Sequence, residues 1–580
     1  VTAPASPSDR PIDPSLERAA RAWIADDPDP ETRAELAGLL ERGEAVEIRA
    51  RFAGLLRFGT AGLRAPLGAG PSRMNVAVVA RAAVGVADWI RHVWPSGGGQ
   101  ACVVVGFDAR HRSRDFAAVT AEVLAADGFG VHLLPEPLPT PVVAFAVGHL
   151  HAAAGIVVTA SHNPPEDNGY KVYDASGRQI VAPDDAMIAD AMAAVDRVAD
   201  LPRSDPDHPD IHRLDDAVVE AYVDAAAGVV DPRGPRQVAV GYTAMHGVGA
   251  PVFRRAMARA GFAPPVEVAE QVAADPDFPT VAFPNPEEPG ALDLGLALAR
   301  RHRLDLLVAH DPDADRLGVA VPDPARGDPG SPEGWRVLRG DEIGVLLAHH
   351  LLVSGRLPAN AVLATTIVSS TLLAKMAAAA GVPYVETLTG FKWISRAPGA
   401  GQVLGFGYEE ALGYCVGGPV ADKDGITAAL VFAELVAAER AQGRSVLQVL
   451  DDLARRHGVH ETAQRTVRVP GPDGAAVLAE AMARLRSAPP AELAGRLVER
   501  FFDLAGGDPD RGLPPTDVVV LEVSGGRVVV RPSGTEPKLK CYVEAVVAVG
   551  PAVDGLATAR AEARSTVAAL AEAIGAATGV

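Results

Sequence analysis

The sequence predicts an α/β protein of about four domains, three of them layered α/β units and the last α+β. Three observations predict it. The chain has 580 residues, which at roughly 150 residues per domain gives a count near four. Apolar, Val-rich runs of strand length alternate with helical stretches from residue 101 to about residue 380, the pattern of a sheet covered on both faces. Beyond about Arg465 that alternation gives way to strand-like runs followed by one long helix.

In chain order, residues 1–44 carry two helical stretches, 15–24 and 30–40, with Asp29 placed to cap the second just before Pro30, and are expected to form a docking appendage. Residues 45–205 are expected as the first domain, with buried strands at 101–107, 131–134 and 155–158 and a helix at 115–126. After the Pro- and Asp-rich linker 200–210, the second domain, 206–324, has strands at 237–240, 304–309 and 317–321 and a helix at 251–260. The third, 325–464, opens inside the Pro/Gly/Asp-rich stretch 322–334, which reads as a hairpin tip, and carries strands at 362–365 and 402–405 and a helix at 370–380. Residues 465–580 form the fourth, with strands at 518–523, 527–531 and 539–547 and a helix at 559–573. The residues themselves do not reveal whether the three α/β units repeat one another.

The composition, 48% hydrophobic and 22% charged, excludes global disorder. With 54 Lys+Arg against 73 Asp+Glu the net charge is −19, a field that repels polyanions and argues against a nucleic-acid or membrane partner. Local loops can still hold a phosphorylated small molecule. Cys102, Cys415 and Cys541 are too few and too far apart for a disulfide framework or a zinc site, and point to a reducing compartment. Residues 1–40 lack the basic start and apolar stretch of a signal peptide, and apolar runs such as 76–90 are broken by charges, here Arg81 and Asp88. A soluble, cytoplasmic protein is expected.

Four loops carry the chemistry. The first, Thr159-Ala160-Ser161-His162-Asn163-Pro164-Pro165, follows the run 155–158, so a serine hydroxyl stands at the carboxyl end of a buried strand, where α/β folds present ligands. Ser161 reads either as a covalent nucleophile or as a turn former, and neither a G-x-S-x-G nor a Walker A pattern surrounds it. In the second, His310-Asp311-Pro312-Asp313-Ala314-Asp315-Arg316, alternate carboxylates can aim hard oxygen ligands at one Mg²⁺, the rival reading being a solvated acidic turn. A calcium EF-hand fails, because Arg316 stands where Gly is needed and Pro322 where Glu is needed. The third, Phe406-Gly407-Tyr408-Glu409-Glu410-Ala411-Leu412-Gly413-Tyr414, offers carboxylate acceptors for sugar hydroxyls and reads equally as a helix N-terminus with an acidic first turn. The fourth, Arg531-Pro532-Ser533-Gly534-Thr535-Glu536-Pro537-Lys538, suits a phosphate cradle or an ordinary hairpin turn.

In this order, from Arg57 to Val547, the loops resemble those of the α-D-phosphohexomutase superfamily of phosphoglucomutases and phosphomannomutases, most of all its phosphoglucomutase-2 and phosphopentomutase branch. Further matching strings are Phe58-Gly59-Thr60-Ala61-Gly62-Leu63-Arg64, Ala244-Met245-His246-Gly247-Val248-Gly249, Leu388-Thr389-Gly390-Phe391-Lys392-Trp393 and Asp422-Lys423-Asp424-Gly425. The resemblance implies a heart-shaped four-domain architecture in which each domain gives one loop to a central cleft. It implies that Ser161 carries a phosphoryl group, that Asp311, Asp313 and Asp315, with Ser161, form the Mg²⁺ site, that Glu409 binds sugar, and that Arg531, Ser533, Gly534 and Thr535 hold the nonreacting phosphate. Arg64, His162, Lys171, Arg316, Thr389, Gly390, Lys392 and Lys423 match polar positions around phosphoserine or substrate, Lys171 being the favoured proton carrier. Ala411 replaces a serine of the better-known glucomutases and removes one hydroxyl contact.

The reaction so implied interconverts aldose 1-phosphates and 6-phosphates, glucose 1-phosphate first among them, through a bisphosphorylated sugar such as glucose 1,6-bisphosphate, which also serves as activator. Phosphomannomutase and phosphopentomutase activities are the alternatives. The expected partners are small sugar phosphates, with the chain a monomer or homodimer. A nicotinamide-dependent oxidoreductase is a distant rival, resting on His246-Gly247-Val248-Gly249 after a strand, with Val252 at the third glycine position. A noncatalytic sugar-phosphate sensor is the other, and it would have lost the serine or an aspartate.

Overall fold

A computed structural model describes residues 12–59, 62–94, 100–469, 474–533 and 538–579. Its first helices, Pro14–Asp26 and Pro30–Glu41, start where expected, because Asp13 and Asp29 accept the freed N–H groups of Ser15 and Glu31 and proline sets φ at the first helical position. With Ala45–Arg51 they enclose a small core of Ala20, Leu36, Leu39 and Ile48. Asp29 accepts a hydrogen bond from Arg112 at 2.6 Å, tying this appendage to the domain that follows.

One βαβαββ unit then occurs three times. Its first two strands are Cys102–Phe107 and Gly130–Leu133, then Val240–Thr243 and Val266–Glu267, then Ala361–Thr366 and Tyr384–Thr387. The third strands, Ala154–Val158, Leu306–Ala309 and Val403–Glu409, lie parallel to the first, and each turns back into an antiparallel return strand: Asp167–Asp174, Gly318–Pro322 or Gly413–Cys415. All three sheets share the order return, third, first, second, so the units are topological repeats. The repetition is hidden in the residues because it is carried by burial alone: any β-branched or aliphatic side chain serves a strand covered by helices on both faces.

The fourth sheet is antiparallel, in the order Val459–Arg468, Lys538–Val547, Gly526–Pro532, Val519–Val523, Arg496–Asp503, Glu492–Leu493. Alternation sets its two faces. Leu521, Val528, Val530, Cys541 and Val543 pack under the helices Gly474–Ser487 and Gly555–Thr578, whereas Val520, Val529 and Tyr542 pack on Ile367, Val368 and Leu388 of the third unit. This strand alternation places the expected 464/465 boundary inside Val459–Arg468, and the 324/325 boundary inside a hairpin that pairs Gly318–Pro322 with Trp335–Val337.

Two expectations shift. The strand expected at 237–240 runs Val240–Thr243, because the Ala239 N–H goes to the Asp305 carboxylate at 2.8 Å and the lead-in residues stay outside the ladder. The run 402–405 continues as strand to Glu409, so the helix N-terminus reading of Glu409 and Glu410 is corrected: residues 410–412 form a tight hairpin connection, with Leu412 at φ +63°. Among the described residues no helix is long and apolar enough to cross a membrane.

Candidate active site

The chemistry-bearing loops are the turns between each third strand and its return strand: 159–166, 310–317 and 410–412. The fourth loop connects Gly526–Pro532 to Lys538–Val547. A tight reversal at the carboxyl end of a parallel strand puts polar residues at the sheet edge while the strands stay apolar. Cross-domain contacts bring the turns together. Arg316 forms a β-bridge with Gly413, the Leu317 N–H donates to Leu412 O, and Ser161 meets Asp311.

Ser161 is 2% exposed, and its backbone at φ +52° lies in the left-handed region that a side chain rarely adopts. Its Oγ donates to Asp311 Oδ2 at 2.7 Å and lies 3.1 Å from His162 Nδ1. What holds this turn is Arg110. The buried guanidinium donates to the carbonyls of Pro164 and Asp167 at 2.7 and 3.1 Å, of Ser161 at 2.6 Å and of Asn163, while Asp108 lies against its Nε at 3.4 Å. Arg64 approaches from the strand Leu63–Pro66 and donates to Asn163 Oδ1. Burial, then Arg316 and Arg64, push the His162 pKa well below its ordinary value and keep the ring neutral.

Asp311, Asp313 and Asp315 are buried, and one carboxylate oxygen from each lies within 4.8 Å of the others. Burial and its two neighbours push the Asp311 pKa well up. For Asp313 and Asp315 the same penalty is overcome by Lys171, whose ammonium donates to both at 2.7 and 2.9 Å, with Lys423 3.4 Å from Asp315. Asp313 Oδ2 also accepts from Thr140 Oγ1 at 2.7 Å. Asp313 Oδ1 and Asp315 Oδ1 are buried with no hydrogen-bond partner among the described residues. Orphaned anionic oxygens so close together suit a hard divalent cation, so the donor set fits a metal ion of the Mg²⁺ type.

Two glycines let neighbouring segments press on this loop. A Cβ on Gly247 would sit 2.3 Å from Pro312 Cα, and one on Gly425 would sit 2.3 Å from Arg316 O. The glycine string 244–249 therefore braces the aspartate turn, with Val248 N–H donating to Pro312 O, and it gives no support to a dinucleotide-binding reading.

The third turn presents Glu409 and Glu410. Burial raises the Glu409 pKa against the pull of Lys423 and Arg316. Glu410 accepts from Ser369 Oγ at 3.1 Å and Thr366 Oγ1 at 3.3 Å, and burial, with Glu409 and Asp341, pushes it up to about 7. Ala411 lies in the turn between them and Leu412. Thr389 and Gly390 follow the strand Tyr384–Thr387, with Thr389 Oγ1 buried and unpartnered among the described residues, and Lys392 feels the field of Asp185 from the first domain. In the fourth loop Gly534 and Thr535 lie outside the described residues. Arg531 and Ser533 stand at its base, where Ser533 N–H donates to Lys538 O.

Sequence reasoning missed Arg110, Thr140, Glu287, Ser369 and Lys540. Arg110 and Asp108 had a signal, since they follow the carboxyl end of Cys102–Phe107. Lys540, its pKa lowered by burial against the pull of Glu410, brings the C-terminal hairpin to the third turn, and Glu287 faces both Arg316 and Lys540. Lys171, the expected proton carrier, is buried between carboxylates. Burial opposes its charge, but Asp313 and Asp315 raise its pKa, so it stands as a cation already holding its proton.

A serine hydroxyl on a carboxylate cluster, with further buried carboxylates and basic groups from four domains nearby, defines a phosphoryl-transfer site. Family models for the α/β/α domains I, II and III of phosphoglucomutase/phosphomannomutase match residues 55–199, 220–327 and 339–457, and that for the C-terminal domain matches 467–549. The chain belongs to the phosphoglucomutase/phosphomannomutase family, and it is an intramolecular phosphotransferase that interconverts sugar phosphates. It is 42% identical to the "Probable phosphomannomutase" of Haemophilus influenzae over 81% of this chain and 93% of that one. Identity to the phosphoribomutase of Saccharomyces cerevisiae is 35% over 90% and 91%, and to a phosphoglucomutase of Staphylococcus epidermidis 33% over 84% and 90%. The open form of the Paramecium phosphoglucomutase parafusin has the same fold, with a TM-score of 0.68 at 19% identity over 91% of this chain and 96% of that one.

Proposed function

We propose that Ser161 is the phosphoryl carrier and that glucose 1-phosphate and glucose 6-phosphate are the main pair, with a bisphosphorylated sugar as intermediate and activator. The observation that carries this reading is the Ser161 hydroxyl, 2.7 Å from Asp311 beside two orphaned carboxylate oxygens. In the forward half-reaction the phosphoserine P–O bond breaks, a P–O bond forms to the free sugar hydroxyl, and the proton of that hydroxyl ends on the departing Ser161 Oγ. The bisphosphate turns over in the cleft and its other phosphate returns to Ser161 Oγ. Asp311, Asp313 and Asp315 would hold Mg²⁺, which would supply positive charge against the negative charge of the transferring group. Arg110 holds the nucleophile's turn, Lys171 and Lys423 balance the carboxylates, and Glu409 and Glu410 accept hydrogen bonds from the hydroxyls of a sugar bound in either orientation. Arg531, Ser533, Gly534 and Thr535 hold the nonreacting phosphate, and the C-terminal domain closes to retain the intermediate. All three cysteines are free, in keeping with a cytoplasmic enzyme.

A second reading, pentose 1-phosphates as the better substrates, is favoured by the ribomutase relative that spans nine tenths of the chain, and by the missing hydroxyl at Ala411. Comparing kcat/KM for glucose, mannose, ribose and deoxyribose 1-phosphates, with glucose 1,6-bisphosphate present, decides between them. Ser161→Ala is expected to lose turnover and the phosphopeptide seen by mass spectrometry; near-normal turnover would end the covalent mechanism.

A further inference from the structure

A cavity of about 390 Å³ opens between the third and fourth domains. Its walls are the helices Gly340–Val353, Val446–His457 and Gly555–Thr578, the segment 336–339 and the start of Val459–Arg468, and none of the four catalytic turns lines it. Five guanidinium groups face it, from Arg326, Arg336, Arg339, Arg560 and Arg564, against three carboxylates, from Asp341, Glu342 and Glu461, a surplus of two positive charges in a chain of net charge −19. Carboxylates just outside the lining offset it, Asp323 lying 3.3 Å from Arg326 and Asp451 beside Arg560, so the guanidinium left unpaired is that of Arg564. Arg336 and Arg339 share Glu342, Arg339 also reaches Glu461, and Arg560 turns to Asp451 at 2.6 Å. Among the described residues no ion pair or hydrogen bond engages Arg564, one helical turn from Arg560. Asp341 is occupied within the wall, accepting from Ser370 N–H, Tyr408 OH and Thr462 Oγ1.

We propose that this cavity binds a small molecule carrying two or more phosphoryl groups, at a site separate from the catalytic cleft. The volume suits a small organic ligand. The basic groups come from two domains, Arg336 and Arg339 from one and Arg560 and Arg564 from the other, so an anion with two charged ends spans the junction, and guanidinium forks suit phosphoryl oxygens. Occupancy reaches the active site through the wall. Ser370 lines the cavity, and its neighbour Ser369 donates to Glu410 of the sugar turn. Tyr408, whose hydroxyl Asp341 holds, directly precedes Glu409.

The test is calorimetric titration of the full chain with fructose 1,6-bisphosphate and, separately, adenosine triphosphate, which distinguishes a sugar bisphosphate from a nucleotide as the source of the phosphoryl groups. Arg564→Glu reverses the charge of an exposed, unpaired side chain, so fold and basal turnover are expected to stay intact. For at least one probe the wild type is expected to show a binding event that Arg564→Glu weakens at least tenfold, with inorganic phosphate binding more weakly there than the probe, and saturating probe is expected to change the turnover of the wild type and not of the variant. Superimposable isotherms for both probes in wild type and variant would overturn the site. Binding lost in the variant but without any effect of the probe on wild-type turnover would overturn its connection to the sugar turn.

Discussion

Replacing Arg110 by methionine keeps the aliphatic stem and removes the guanidinium that clamps the serine turn. Four backbone carbonyls, those of Ser161, Asn163, Pro164 and Asp167, lose their donor, and Asp108, 2% exposed, loses the cation at 3.4 Å. Breaking one side of a buried ion pair costs about 3–5 kcal/mol. Asp108 can escape part of that by taking a proton, because burial already raises its pKa, and carbonyls next to the cleft regain water, so the low end applies: about 3 kcal/mol. In a domain of this size that lowers the first thermal unfolding midpoint by about 10 °C. Turnover falls further, because a serine displaced by about 1 Å costs on the order of a hundredfold in rate. Arg110→Lys restores the charge beside Asp108 without the fork, and is expected to recover more of the stability than of the turnover. Differential scanning calorimetry and a coupled mutase assay read both quantities. A midpoint within about 2 °C of wild type together with kcat within about threefold would refute the clamp.

Asp313→Asn removes one anionic ligand at nearly constant volume, so the Mg²⁺ concentration for half-maximal turnover is expected to rise while the circular dichroism spectrum stays unchanged; an unaltered Mg²⁺ titration would contradict the metal assignment. Gly247→Ala drives a Cβ to 2.3 Å from Pro312 Cα, which backbone cannot yield cheaply, and is expected to reduce both Mg²⁺ affinity and thermal stability, measured side by side. Glu410, pushed up to about 7, keeps a proton in the folded chain that the unfolded chain has already released. Native protein binds the extra proton, so this group's contribution to stability is greatest at or below the ordinary carboxylate range and falls as pH rises toward about 7. Thermal midpoints of wild type and Glu410→Gln across that window are expected to converge at low pH and to separate, with the variant higher, as pH rises.

Much of the site could be read from local chemistry. A serine after a buried apolar run, three alternate aspartates between two strands, and an arginine with hydroxyls in a hairpin each mark a candidate site, because ligands bind where strands end and hydrogen-bond donors or acceptors are left free, although each pattern taken alone also suits an ordinary turn. The sugar turn was harder. Glu409 and Glu410 suit a helix start as well as a strand end, and only the pairing of Glu409 with Gly413 decides for the strand. Arg110 was harder still: one more arginine in a loop declares nothing until four carbonyls converge on it.

By itself the sequence determined the α/β class, the order of the four turns and the residues at their tips, because hydrophobic period and turn chemistry are properties of a few adjacent residues. Tertiary structure decided what those residues become. Lys171 is a candidate proton carrier in the sequence, and the fold makes it a buried, carboxylate-held cation, since two carboxylates from a segment about 140 residues away outweigh the cost of burying its charge. The threefold repetition of the βαβαββ unit, the bracing of the aspartate turn by Gly247 and Gly425, and the charged cavity between the last two domains likewise exist only once distant segments pack. Charge, burial and steric exclusion act through space, and the linear order of residues does not record which groups will share it.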